Sequence, residues 1–205
     1  MVPSYWNKAT RDLARSDPVL ARVVAQARGA VLRQRGDAFT TLARSIVGQQ
    51  ISVKAAQSVW NRVVAAAPPF EPGVVAALEP QQLRACGLSE RKASYVLDLA
   101  RRFAGGALRP QGWPDLDDEV LIEELTQVKG VGRWTAEMFL IFHLQRPDVL
   151  PVADLGLQRA VSVHYNRGRA VSEKRLRKIA TPWAPWRTVA TWYLWRSLDP
   201  IPVEY

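Results

Sequence analysis

One cysteine and two histidines set the first limits on this chain of 205 residues. With Cys86 alone, an intrachain disulfide framework, a four-cysteine iron–sulfur cluster and a cysteine-rich zinc site are excluded. His143 and His164 are too few for a histidine-based metal centre. No apolar run reaches the roughly 18–20 residues that span a bilayer. The start, Met1-Val-Pro-Ser-Tyr-Trp6, lacks the basic-then-apolar form of a signal peptide. A soluble protein of a reducing, cytoplasmic compartment is expected. Short alternating runs bounded by turn signals are also missing, which leaves an all-α fold. Neither internal repeats nor low-complexity stretches occur.

What the chain does carry is positive charge. Its 28 Lys and Arg against 19 Asp and Glu give a net charge of +9, and the pI is near 10.2. Such a balance favours a polyanionic partner, nucleic acid before a membrane surface. A basic but idle surface is the plain alternative. Hydrophobic residues at 48% and charged residues at 23% belong to an ordinary globular chain with a real core.

Helix starts and stops can be read in order. Ser16-Asp17-Pro18 opens a helix expected to reach about Arg33 and stop near Gly36. Asp37 caps the next, with Phe39, Leu42, Ile46 and Val47 at helical spacing. Gly48-Gln49-Gln50 makes a polar corner, and Ser52 caps a helix through Ala67. One or two short helices fill Glu71 to Ala85, and Ser89 caps a stronger one from Glu90 to Phe103. Arg109 to Pro114 reads as a loop, after which Asp117 starts a further helix. Arg133 to Leu144 is apolar nearly all round and should be buried. Asp154 to about Tyr165 is helical. Ser172 caps a basic helix bearing Lys174, Arg175, Arg177 and Lys178, and Trp186 to Leu198 forms the last helix.

The informative stretch runs from Leu121 to Arg159. Gly130-Val131-Gly132 joins two helical segments, and a turn this tight leaves the first amides of the following helix without internal partners. With the positive end of the helix dipole they make a seat for a phosphate. One helix later stands a lone carboxylate, Asp154, among apolar residues Val149, Leu150, Val152 and Leu155. As a local signal, Asp154 reads equally well as the N-cap of its own helix.

The run Val128-Lys-Gly-Val-Gly-Arg-Trp-Thr-Ala136, followed by Pro151-Val-Ala-Asp154, resembles the helix–hairpin–helix (HhH-GPD) glycosylases of base-excision repair. The likeness is to the DNA-3-methyladenine glycosylase II (AlkA-type) branch and covers about Phe39 to Trp195. Ser45-Ile-Val-Gly-Gln-Gln-Ile-Ser-Val53 and Pro185-Trp-Arg187 through Trp195 carry it further. The resemblance implies an all-α, two-lobed helix–hairpin–helix fold with the active site in the cleft between lobes. A central lobe would span 35–148, and a second would combine 1–34 with 149–205. The chain would be a compact form without the β-rich N-terminal domain.

By this resemblance Asp154 is the catalytic carboxylate, while Trp134, Trp195 and Met138 form the base pocket. Gly130, Gly132 and Thr135 hold DNA, and either Gln50 or Ile51 fills the gap left by a flipped base. The carbonyls of Thr126, Val128 and Val131 would face a monovalent ion, sodium or potassium, with no other cofactor required. Bifunctional relatives carry a lysine where Trp134 stands, and an indole cannot form their Schiff base. A monofunctional hydrolase without lyase activity is therefore expected. It would act as a monomer on duplex DNA bearing alkylated bases of the 3-methyladenine and 7-methylguanine type, in a nucleoid-associated cytoplasmic setting. A glycosylase for deaminated or oxidised purines, or a non-catalytic DNA-binding hairpin protein, remain the alternatives.

Overall fold

The computed structural model describes residues 2–27, 29, 31–34 and 36–198. Among the described residues it is helical throughout, with no strand. In chain order the α-helices are α1 (Trp6–Ser16), α2 (Pro18–Gln26), α3 (Ala38–Gly48), α4 (Val53–Ala65), α5 (Pro72–Ala76) and α6 (Pro80–Ala85). They continue as α7 (Glu90–Ala104), α8 (Asp118–Thr126), α9 (Arg133–Phe142), α10 (Leu155–Tyr165), α11 (Glu173–Ala180) and α12 (Arg187–Leu198). Short 3-10 helices occupy Pro110–Asp115 and Thr181–Trp183. Among the described residues no helix is long and apolar enough to cross a membrane.

The described residues divide into two compact units: those up to Gln34 together with those from Leu140 to Leu198, and those between them through Phe139. The second division falls inside α9. In the middle unit one aromatic run, Trp60–Phe70–Phe39–Phe103–Trp113–Phe139, links its helices with ring centroids 5.0 to 5.9 Å apart. Edge-on packing dominates it, as ring quadrupoles prefer. In the other unit α12 packs against α1, α2 and α10, and Trp6 meets Trp192 edge-on at 5.2 Å. A buried carboxylate organises this core. Asp17 accepts the amides of Val19 and Leu20, the Tyr165 hydroxyl at 2.7 Å and the Trp183 indole at 3.0 Å.

The caps read from the sequence make their bonds: Asp17, Asp37, Ser52, Ser89, Asp117 and Ser172 each accept a first-turn amide. Three boundaries differ. The second helix stops at Gln26, well before Arg33, because Gly29 takes the left-handed region at φ 76°. Arg28 and Ala30 lie outside the described residues. α9 stops at Phe142 rather than Leu144, since Gln145 is left-handed and the Arg146 amide turns back to the Leu140 carbonyl. The expected loop at Arg109 to Pro114 is mostly a 3-10 helix, pinned by the buried Trp113, whose indole donates to Glu124 at 2.9 Å. α1 was not foreseen as a separate helix, although Trp6, Ala9 and Leu13 form its buried face.

Candidate active site

The hairpin is α8, a turn, and α9. Gly130 sits at φ 82°, and a Cβ there would fall far inside contact of the Tyr95 ring, so only glycine fits. Gly132 is the opposite case: a Cβ would meet nothing within 4 Å. Its carbonyl accepts the Ala136 amide at 3.0 Å and so starts α9. The N–H groups of Gly130 and Gly132 donate to no acceptor among the described residues. One glycine is demanded by packing beneath the turn, the other leaves the outer side open to an incoming group. At the first residue of α9, Arg133 is bidentate to Glu119 and also reaches Glu137, and Glu119 above all holds its guanidinium above the usual range.

One face of α7 fastens this turn. Lys92, Tyr95 and Asp98 recur at i, i+3 and i+6. The Lys92 ammonium donates to the Val47 and Gln49 carbonyls at 2.9 and 2.6 Å, closing the end of α3. Burial pushes its pKa down from the usual lysine value. Tyr95 lies under Gly130, and Asp98 accepts the Lys129 amide at 3.1 Å. Gln49 then reaches across to donate to the Gly130 carbonyl at 2.9 Å. The loop after α3 and the hairpin are thus tied to each other and to α7.

Between them opens a cavity of about 480 Å³, within the range of small-molecule sites. Its wall includes Gln50, Ile51, Gly130, Gly132, Trp134, Thr135 and Met138. Seven residues singled out in the sequence therefore share one cavity, joined there by Arg44, Ser45 and Gln57. Trp134 is half-buried, while Met138 is only 2% exposed. Gln50 adopts a left-handed backbone at φ 58° and is exposed, and Ile51 is 41% exposed, so the loop turns both side chains outward.

Asp154 and Trp195 form a second cluster, in the other unit. Asp154 caps α10 and is 7% exposed. Its Oδ1 accepts the Leu157 amide at 2.6 Å and the Trp195 indole N–H at 2.7 Å. Trp195 stacks on Phe142 at 5.8 Å with planes 10° apart. Gly156 makes room for both, since a Cβ there would lie 3.1 Å from Asp154 Oδ1 and from the Trp195 ring. The cap reading of Asp154 holds, then, and a further donor fixes the group. Of the apolar neighbours expected around it, Val149 and Val152 are buried, but Leu155 is 78% exposed. Leu155 begins α10 with its side chain largely in solvent.

Among the described residues no group of three His, Cys, Asp or Glu side chains could hold a metal ion. The carbonyls of Thr126, Val128 and Val131 offer neutral oxygen donors instead. Val128 O accepts the Val131 amide at 3.0 Å, and a carbonyl oxygen keeps a second lone pair after one hydrogen bond. That donor set fits a monovalent cation.

An open glycine turn between two helices and a capped, indole-bound carboxylate thus stand on a scaffold that is helical throughout its described residues. Residues 43–185 match the HhH-GPD superfamily of base excision DNA repair proteins, and the chain belongs to it. DNA-3-methyladenine glycosylase 1 of Schizosaccharomyces pombe is 33% identical over 168 residues, covering 80% of this chain and 74% of that protein. The putative DNA-3-methyladenine glycosylase YfjP of Bacillus subtilis is 31% identical over 169 residues; the match covers 78% of this chain and spans 59% of that relative's length. The solved structure of S. pombe 3-methyladenine DNA glycosylase (Mag1) in complex with abasic DNA has a TM-score of 0.83 at 30% identity, over 97% of this chain and 99% of that one.

Lys92, Tyr95, Asp98 and Gln49 were not read from the sequence as part of the site. The spacing of the first three on one helix face was a usable signal. Gln49 looked only like a polar corner.

Proposed function

We propose that the protein is a monofunctional DNA glycosylase that hydrolyses the N-glycosidic bond of alkylated bases in duplex DNA. Hairpin amides at Gly130 and Gly132 hold a phosphate without reading sequence. The damaged nucleotide leaves the stack, and Gln50 or Ile51 fills the vacancy. Trp134 offers an indole face to a positively charged alkylated base, an attraction of about 0.5–2 kcal/mol. As the bond breaks, positive charge develops on the deoxyribose and the Asp154 carboxylate stabilises it. The same group orients the attacking water. Trp134 offers no amine for a Schiff base, so the strand stays intact. A monovalent ion on the carbonyls of Thr126, Val128 and Val131 would add positive charge towards the held phosphate. Such an enzyme works where the chromosome lies, in a nucleoid-associated cytoplasmic setting, as a monomer.

The observation that carries this reading is the Asp154 carboxylate, nearly buried yet fixed by two N–H donors on one oxygen. A carboxylate held in one rotamer costs little further ordering when charge develops beside it. One observation favours a second substrate class. Arg44 stands in the cavity wall with its guanidinium donating to Gln57 Oε1 at 2.6 Å, and positive charge there opposes a cationic base while suiting a neutral, carbonyl-bearing purine such as a deaminated one. The test is a panel of duplexes containing methylated, deaminated or oxidised purines, with free base measured by mass spectrometry. Release of methylated purines is expected. Release of only hypoxanthine or 8-oxoguanine would move the substrate class, and DNA binding without any release would reduce the protein to a hairpin binding module.

A further inference from the structure

The basic segment 167–178 takes no part in the chemistry above, yet it is built as a surface. We propose that it is an accessory, sequence-independent grip on the phosphate backbone of duplex DNA, separate in function from the hairpin. Six cations crowd this stretch: Arg167, Arg169, Lys174, Arg175, Arg177 and Lys178, with Glu173 the one carboxylate. All six are exposed, and among the described residues none has an ion-pair partner. Several cations elsewhere are engaged inside the protein, among them Arg133 with Glu119 and Glu137, Arg102 with Asp98, Arg187 with Asp148, and Lys92 with two carbonyls. Free guanidinium and ammonium groups keep their full capacity for phosphate.

The scaffold beneath them is ordered. Leu176 and Ala180 bury one face of α11, which leaves Lys174, Arg175, Arg177 and Lys178 on the outer side at i, i+3 and i+4 spacings. Ser172 caps that helix by accepting the Arg175 amide at 3.3 Å. The turn before it is closed by the Gly168 amide to Ser162 O and by the Asn166 side chain to the carbonyls of Arg169 and Ala170. Arg167 itself is held in the left-handed region at φ 54°. An α-helix of 8 residues is about 12 Å long. With one phosphate per strand every ~3.4 Å of duplex axis, its outer face matches three or four phosphates.

The test uses the full chain and an undamaged mixed-sequence duplex as probe, titrated at rising salt. Replacing Lys174, Arg175, Arg177 and Lys178 together by Gln should lower duplex affinity at low salt tenfold or more. The slope of log affinity against log salt should become shallower by about two or more, at about 0.9 for each phosphate that is no longer neutralised. The charge-preserving set (Lys174→Arg, Arg175→Lys, Arg177→Lys, Lys178→Arg) should behave as wild type, and base release at saturating DNA should be unchanged in both. An unaltered slope in the Gln set overturns the proposal, as does equal loss in the charge-preserving set. It is also overturned if the Gln set loses binding only to phosphatidylglycerol vesicles, which would make a membrane the partner. Base release is scored independently of the slope, so failure of the glycosylase reading is distinguishable from failure of this one.

Discussion

Adding a single methyl group at Gly130 tests how the hairpin is built. Two penalties stack there. A non-glycine residue at φ 82° costs about 1–2 kcal/mol. The new Cβ would also overlap three carbons of the Tyr95 ring, and overpacking of this kind costs a further 1–3 kcal/mol or so. Gly130→Ala should therefore lose about 3 kcal/mol, which for a chain of this size lowers Tm by roughly 6–12 °C. The ring can escape only by dragging on α7, whose Lys92 and Asp98 hold the α3 loop and the turn. Duplex affinity should fall about tenfold as well, by the usual relation of ~1.4 kcal/mol to a tenfold change. In a Tyr95→Ala background the clash is gone, and the same substitution should cost only the backbone penalty of about 1–2 kcal/mol. Urea denaturation of the four proteins in a double-mutant cycle measures the coupling. Equal cost of Gly130→Ala in both backgrounds would refute the assignment of Tyr95 as the group that demands glycine.

Trp195→Phe keeps a ring against Phe142 but removes the N–H donated to Asp154. A hydrogen bond to a charged group is worth about 1.5–3 kcal/mol, so single-turnover base release should drop roughly tenfold to a hundredfold with duplex affinity nearly unchanged. Asp17→Ala strands the Tyr165 hydroxyl and the Trp183 indole in a buried site and should destabilise by about 3–5 kcal/mol in thermal or urea unfolding. Burial, and after it the charge of Arg22, hold His164 below its ordinary 6.5. The native state then binds that proton less readily than the unfolded chain, so stability is intact above 6.5 and declines as pH falls from there through the lowered native value. NMR titration of the ring gives the midpoint, and His164→Gln should flatten that part of the stability profile.

Local physics was readable from the residues, and distant pairing was not. Side-chain caps depend on atoms two or three positions apart, so Asp37, Ser52, Ser89 and Ser172 could each be assigned from neighbours alone. The tight glycine turn between helical segments was legible for the same reason. Gln49 to Gly130 spans 81 positions and Lys129 to Asp98 spans 31, and no local pattern states such pairings. Trp195 was singled out through a family likeness, but its bond to Asp154, 41 positions away, required the fold. Leu155 shows the limit of reasoning from apolar neighbours. Its place beside Asp154 in sequence put it near the carboxylate, but the start of α10 points it outward, where it is 78% exposed.

The most direct measurement is single-turnover base release from an end-labelled duplex carrying one methylated purine, with wild type and Asp154→Asn compared at saturating protein. The wild type should liberate free base and leave the labelled strand whole until alkali is added. Asp154→Asn should bind the same duplex and lose at least about a hundredfold in rate, the scale on which a single electrostatic group acts on developing charge. Equal rates for the two proteins, or strand cleavage by the wild type without alkali, would contradict a hydrolysis that rests on the Asp154 carboxylate.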